Sequence, residues 1–253
     1  MNSLLKRAAV VVAGGALAFS GLAFASAAPA AAATSPIDVT SIRVASSSGP
    51  YMSYSTKYMQ TATDMRQVGS LGQYGRVTVY GDIYRGSTRL LANQQLAYVS
   101  NTYQSTTSGF TFKNGWGRGA FRVANVRVQW NDGNNNIRWF TDASVAGRGF
   151  TIKSAIEGNL KYRNVISIKS TGSKKKVKVG VRYYSPTGWK PYRGKKVVVQ
   201  VKKGKWKKKK ALRLNRKGKA GFTFYSSKRA KYRLKIPATK TVQGGYSRGT
   251  IKL

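Results

Sequence analysis

The chain has 253 residues and carries 46 Lys and Arg against 6 Asp and Glu, a formal net charge of +40, with neither His nor Cys. Lacking those two residue types, it has no Ser-His dyad, no Cys nucleophile, no disulfide framework and no His- or Cys-bearing zinc site. The charge is uneven: from Ser154 onward 31 basic residues accompany one acid, Glu157, whereas residues 34–153 hold 13 basic and 5 acidic residues.

The N-terminus reads as an export signal. Lys6 and Arg7 form a positive n-region, and residues 8–25 form an apolar h-region. Ala-x-Ala sites follow at Ala25-Ser26-Ala27, Ala28-Pro29-Ala30 and Ala31-Ala32-Ala33. A cleaved signal peptide over residues 1–33 is expected, with the mature chain starting near Thr34. The chain contains no Cys lipobox, no Leu-Pro-x-Thr-Gly signal and no second apolar run of about 18 residues. The expected localisation is therefore secreted and extracellular, without an integral membrane span after processing, and retained at the wall by charge.

The first expected domain, residues 34–153, offers β runs at 37–45, 76–84, 89–100, 109–113, 120–130, 137–143 and 149–153. In the fifth run Ala124, Val126, Val128 and Trp130 are expected on one face, with Arg127 and Gln129 on the other. Asn131-Asp132-Gly133-Asn134 reads as a hairpin turn rather than a calcium loop, since Ala143 stands where such a loop needs a bidentate Glu. Between 46 and 73 the pattern is weaker. The spacing of Tyr51, Tyr54, Tyr58 and Met59 fits a short helix or an aromatic-lined loop, and ordinary packing is expected there rather than a ligand surface. What remains for chemistry is Asp38, Asp64, Asp82, Asp132, Asp142 and Glu157, with Lys, Tyr and hydroxyls, and a carboxylate pair from the Asp set is the enzyme alternative, suited to glycoside hydrolysis. None of these acids has a recognisable motif context, and Gly-x-Ser-x-Gly, a P-loop and a dinucleotide fingerprint are absent. A non-catalytic protein without cofactor or metal is expected.

Composition shifts near Lys153, beyond which Lys outnumbers Arg 23 to 8. A linker is expected over 154–162 and a second, Lys-rich domain over 163–253. Its strands alternate clearly. Val177, Val179, Val181 and Tyr183 share a face opposite Lys176, Lys178 and Arg182. Val197, Val199 and Val201 alternate with Lys196, Val198, Gln200 and Lys202. Phe222 and Phe224 alternate with Gly221, Thr223 and Tyr225, and Tyr232, Leu234 and Ile236 with Lys231, Arg233 and Lys235. Such strands pack as antiparallel sandwiches. Turn signals at Ser185-Pro186-Thr187-Gly188, Lys203-Gly204-Lys205 and Asn215-Arg216-Lys217-Gly218 separate them. The expected fold is all-β: two antiparallel β-sandwich, immunoglobulin-like domains after a cleaved signal peptide.

The run from Gly188 through Trp189-Lys190-Pro191-Tyr192-Arg193-Gly194 to Gln200 resembles the start of a β-sandwich module of secreted actinobacterial proteins, immunoglobulin-like or prealbumin-like. Gly204-Lys205-Trp206, the stretch from Asn215 to Phe222, Tyr232-Arg233-Leu234, Ala238-Thr239-Lys240-Thr241 and Tyr246-Ser247 continue the resemblance over roughly residues 164–253. It implies an extracellular spacer or binding module without catalysis. Two departures stand out: Asn215 and its basic neighbours replace the usual turn Asp before Gly218, and Lys crowds every outward row. The first domain resembles bacterial immunoglobulin-like domains more loosely, and its role stays open.

The outward rows define the expected binding surface. They are Lys174, Lys175, Lys176, Lys178, Lys196, Lys202, Lys203, Lys205, Lys207, Lys208, Lys209, Lys210, Arg213, Lys231, Arg233 and Lys235. Lys is a flexible point charge, so a Lys-dominated surface favours sequence-independent contact with phosphate or sulfate chains. The expected partner is an anionic polymer: a wall polymer such as teichoic acid, nucleic acid or acidic polysaccharide. Among the interleaved aromatics Tyr184, Trp189, Tyr192, Trp206 and Tyr225, stacking on bases or sugars is a role for Trp189, Tyr192 and Trp206. Packing at the core or edge is the alternative for each. For Lys207, Lys208, Lys209 and Lys210 the alternative is a solvated edge strand whose charge blocks aggregation. A structural or adhesive spacer is the competing reading of the whole chain.

Overall fold

The computed structural model describes residues 35–71, 75–100, 104–131, 136–156, 165–247 and 251–252. The expected signal segment and most of the expected linker lie outside these residues. In chain order the first strands are β1 (Ile37–Ala45), β2 (Tyr51–Met52), β3 (Thr56–Gln67), β4 (Arg76–Arg85) and β5 (Thr88–Ser100). They are followed by β6 (Gln104–Ser105), β7 (Thr107–Lys113), β8 (Gly119–Asn131), β9 (Ile137–Asp142) and β10 (Gly149–Ser154). A 3-10 turn, Asn114–Trp116, joins β7 to β8.

Two sheets enclose the first core. One has the order β1-β3-β7; the other runs β2-β10-β8-β4-β5-β6, with β9 paired to β8. Pairing is antiparallel except for β2 against β10, where Lys153 lies beside Tyr51 in parallel register. Ile42, Met59 and Phe112 from the smaller sheet meet Val79, Ile83, Val128 and Ile152 from the larger in one buried cluster. Each contributes the apolar half of an alternating strand.

Two expectations for this half are corrected, for local reasons. Among the described residues 46–71 there is no helix, because Tyr58 and Met59 lie in the twelve-residue strand β3; the aromatic-lined loop is confined to the residues before it. The inward row of β3 is Met59, Thr61, Thr63 and Met65, so two buried threonines disguise the apolar period. On β8 the expected face is correct at Val126, Val128 and Trp130 but not at Ala124. Asn125 has φ 50 and the β4 partner register slips there, so the phase resets and Phe121 and Val123 point inward instead.

The second group of strands is β11 (Ile166–Thr171), β12 (Lys174–Gly180), β13 (Arg182–Ser185), β14 (Gly188–Pro191) and β15 (Lys196–Lys203). It continues with β16 (Lys205–Arg213), β17 (Lys219–Tyr225), β18 (Lys231–Ile236), β19 (Gly245–Tyr246) and β20 (Ile251–Lys252). A β11-β12-β17 sheet and a β16-β15-β18-β19 sheet, with β20 on β18, share a second buried cluster containing Val177, Val179, Val197, Val199, Leu234 and Ile236. The result is an all-β, sandwich-like arrangement of antiparallel sheets. At the turn before β17, the Asn215 side chain accepts the amides of Lys217 and Lys219 at 2.9 and 3.0 Å. Asn215 thus supplies the side-chain acceptor of an Asx-type turn, as an Asp would. Gly218 follows with φ 69, where a Cβ would lie 2.6 Å from the Val181 carbonyl oxygen.

The start of the expected linker is ordered. Ser154 closes β10, and Ala155 and Ile156 are fully buried. Ser154 donates its amide to Thr241 and accepts that of Gln243, and Tyr184 donates to Ala155. Arg118 ties the same region together. Its guanidinium donates to Ser154 Oγ, to the carbonyls of Asn114, Gly117 and Tyr184, and to Asn114 Oδ1. Asn114 donates onward to the Ser185 and Pro186 carbonyls in the β13–β14 hairpin. Burial, countered in part by Tyr184 and reinforced by nearby Arg85, lowers the Arg118 pKa to about 10, which leaves it charged at neutral pH.

Candidate polyanion interface

The outer face of the β15–β18 sheet follows from period two. Val197, Val199 and Val201 enter the core, so Lys196, the half-buried Val198, Gln200 and Lys202 face out. Tyr232, Leu234 and Ile236 enter it, so Lys231 and Lys235 face out. Antiparallel register extends the face: Lys208 lies opposite Gln200, Trp206 opposite Lys202, Arg213 opposite Lys196 and Tyr246 opposite Lys235.

Arg233 sits at the centre of this face and is already occupied. Its guanidinium carbon lies 4.2 Å from the Trp206 ring centroid and 3.8 Å from that of Tyr246. Its Nε donates to Gln200 Oε1 at 2.8 Å. Trp206 therefore spends one ring face on a cation of its own chain instead of presenting both to a ligand.

The edge of the sheet differs from a regular strand. Val199 pairs with Lys210 and Gln200 with Lys208, so Lys209 is an extra residue in a bulge. Consecutive residues normally alternate sides. Here Lys209 and Lys210 both reach across to β17, with Nζ 4.4 Å from the Phe224 centroid and 5.6 Å from the Phe222 centroid. Their stems cover the open side of the sandwich while the ammonium groups stay exposed. Beside them lies a cleft of about 260 Å³ bordered by Lys203, Lys207, Lys208, Lys209 and Lys228, with Tyr225 71% exposed at its rim. Lys228 carried no signal in the sequence, because it lies in the turn before β18, outside any strand period. Tyr225 carried a usable one, its alternation with Phe224.

On the opposite sheet Lys174, Lys176 and Lys178 face out as expected. Lys175 does not. It shares the inward row with Val177 and Val179, is 4% exposed and donates to Ser170 Oγ at 3.2 Å, so it leaves the candidate surface. Tyr192 leaves it too: it is 3% exposed in the second core, where burial raises its phenol pKa despite a hydrogen bond to Thr239. Trp189 is half-buried, packed edge-on against Tyr184 at 5.3 Å. Lys203 and Lys205 flank the exposed hairpin tip at Gly204.

These sheets carry no counter-charge of their own. Among the described residues the ion pairs are Arg43 with Asp64, Arg66 with Asp38, and Arg89 and Arg127 with Asp82, all in the first half. In the Lys-rich half the register sets Lys169 against Lys176, Lys196 against Arg213 and Lys203 against Lys205. Like charges directly opposite each other destabilise a sheet, and the self-repulsion of so large a net charge opposes the compact state.

The described carboxylates are engaged structurally. Asp82 is buried and accepts the Asn93 amide and the Asn125 side chain. Asp142 is buried and accepts the amides of Val39 and Ser144. Among the described residues no three His, Cys, Asp or Glu side chains gather as a metal group, and no helix is long and apolar enough to cross a membrane.

No protein family matches this chain, and no curated protein does. Among solved structures, Escherichia coli alpha-2-macroglobulin activated by porcine elastase is similar over 78% of this chain and 18% of that chain, at 12% identity and a TM-score of 0.21. The chain thus spans about a fifth of the structure it matches.

Proposed function

We propose that this protein is a secreted, non-catalytic binding protein of two immunoglobulin-like sandwiches, released by cleavage near Thr34, that holds anionic polymers through the outward Lys rows of its second, Lys-rich half. The observation that carries the reading is the absence of internal counter-charge, among the described residues, on sheets that place cation opposite cation. Lys202, Lys208, Lys231 and Lys235 offer one flat face, and the β16–β17 cleft offers a second group. Exposed Lys heads act as point charges, so the contact is with phosphate, sulfate or carboxylate rather than with base edges. The resemblance to an actinobacterial spacer or binding module supports an extracellular setting, and teichoic acid, extracellular nucleic acid and acidic polysaccharide share the needed chemistry.

A second reading, a spacer whose charge serves only solubility, draws on the edge position of β16, where Lys discourages strand-to-strand association. Binding of the full mature chain to wall teichoic acid, duplex DNA and a neutral polysaccharide at 50 and 200 mM salt separates the two. Engagement of six to ten phosphates predicts a fall of about 10³–10⁵-fold in DNA affinity over that range. No binding to either polyanion at 50 mM salt overturns the proposal in favour of the spacer.

A further inference from the structure

The first half holds a cavity of different chemistry. The chain leaving β1 turns back at Ser46 and Gly49 and runs through β2 into β3. Between this loop and the outer face of β3 lies a cavity of about 360 Å³, lined by Tyr51, Tyr54, Tyr58, Lys57 and a collar of hydroxyl side chains that includes Ser46, Ser53 and Thr56. That is the scale of a small-ligand site.

Its aromatic rings are not used by the core. Tyr54 is 73% exposed and Tyr58 62% exposed, whereas Met59, the next residue, is buried. β3 turns Met59 inward and Tyr58 outward by simple alternation. Gly109 on the adjacent strand β7 leaves the space that the tip of the Tyr58 ring fills, since a Cβ there would collide with the phenol. Tyr58 is thus seated on the sheet with much of its surface open.

The polar groups complete the chemistry. Lys57 donates to Ser48 Oγ at 2.5 Å and lies 5.2 Å from the Tyr51 ring centroid. An ammonium has three donors, and the Ser48 contact uses one. Burial lowers the Lys57 pKa. The lining contains no carboxylate, and hydroxyls both donate and accept. A single cation does not make the positive track that single-stranded nucleic acid needs.

We propose that this cavity binds a pyranose unit of a glycan, whose C–H face stacks on Tyr54 and Tyr58 while its hydroxyls meet the Ser and Thr collar and an acceptor oxygen meets Lys57. The aromatic ring face is electronegative and suits such C–H groups. The acceptor is either a neutral ring hydroxyl or a uronate carboxylate. This site is independent of the Lys-rich sheets, because stacking and neutral hydrogen bonds survive salt and long-range attraction does not.

The test uses the mature chain at ~0.5 M salt, where the Debye length falls below about 8 Å and surface attraction is suppressed. Oligosaccharides of neutral hexoses, N-acetylhexosamines and uronates are titrated and followed by calorimetry and tyrosine side-chain NMR. At least one oligosaccharide is expected to bind, and Tyr54→Ala and Tyr58→Ala are each expected to weaken it by about tenfold, about 1.4 kcal/mol. Both side chains are exposed, and unchanged thermal melting verifies their folds. Lys57→Met separates the arms, with a larger loss for a uronate than for a neutral sugar. Replacing Lys207, Lys208, Lys209 and Lys210 with Gln is expected to leave this affinity unchanged, which keeps the result distinct from the polyanion reading. No binding across the set, or binding indifferent to both tyrosines, overturns the proposal.

Discussion

Asp82 shows how a single carboxylate is held in a strongly basic chain. It is 1% exposed. Burial alone raises its pKa, but the Asn93 amide, the Asn125 side chain and the charges of Arg127 and Arg89 outweigh that, and the net shift is downward. Asn93 and Asn125 adopt φ of 52 and 50, a conformation Asn tolerates better than most residues. A carboxylate whose folded pKa lies below its unfolded value of about 3.9 contributes stability that is complete above that value and is lost as pH falls through the folded one. Stability should therefore hold between about pH 5 and 7 and decline below about pH 4. Asp82→Asn should cost about 2–3 kcal/mol at pH 7 by urea unfolding and should flatten the decline below pH 4. An unchanged acid limb in this variant would assign the decline to other carboxylates. Arg118 makes the converse case, a buried cation with only neutral acceptors. Arg118→Ala should cost at least about 2 kcal/mol, because several carbonyls lose their donor. Amide exchange in β13 should speed up more than in β15, since the broken bonds run to that hairpin through Tyr184 and Asn114.

At the scale of elements, the bulges decide which side chains are presented. Strand alternation is local, so the outward rows of β12, β15 and β18 were legible: Lys176, Lys178, Lys202, Lys231 and Lys235 are where the period puts them. Strict use of the same period would also have placed Lys175 beside Val177 on the inner face, where it lies. The bulge at Lys209 had no such signal, because a run of four lysines has no apolar residue to mark its phase. Replacing Lys207, Lys208, Lys209 and Lys210 with Gln should weaken binding alike for all DNA sequences. It should also flatten the salt slope by about 0.9 for each phosphate that is no longer neutralised. A weakening confined to one sequence would show contact with base edges rather than the phosphate contact proposed for these lysines.

For the whole molecule, the missing His sets the pH behaviour. Without His, no side-chain type present has an unperturbed pKa between about pH 5 and 7, so net charge is expected to stay nearly constant over that range. Affinity for a sulfated polysaccharide, whose own charge is fixed, should change less than about tenfold between pH 5.5 and 7 at constant ionic strength. A larger change would reveal a strongly shifted group within the interface. The two buried clusters are separate, yet the hydrogen bonds of Ser154, Arg118 and Asn114 clamp the strands around them.

What the sequence by itself determined is whatever depends on near neighbours and on residue type: the β character, the basic outward rows, the turn at Asn215 and Gly218, and the loss of His and Cys chemistry. The tertiary structure decided the rest. It buried Tyr192, stacked Arg233 between Trp206 and Tyr246, opened Tyr54 and Tyr58 over a cavity and made Arg118 a clamp. Each of these depends on partners from distant strands, such as Arg233 with Trp206 and Arg118 with Ser154. Period two fixes the face on which a side chain emerges, but bulges and strand order fix what it meets there.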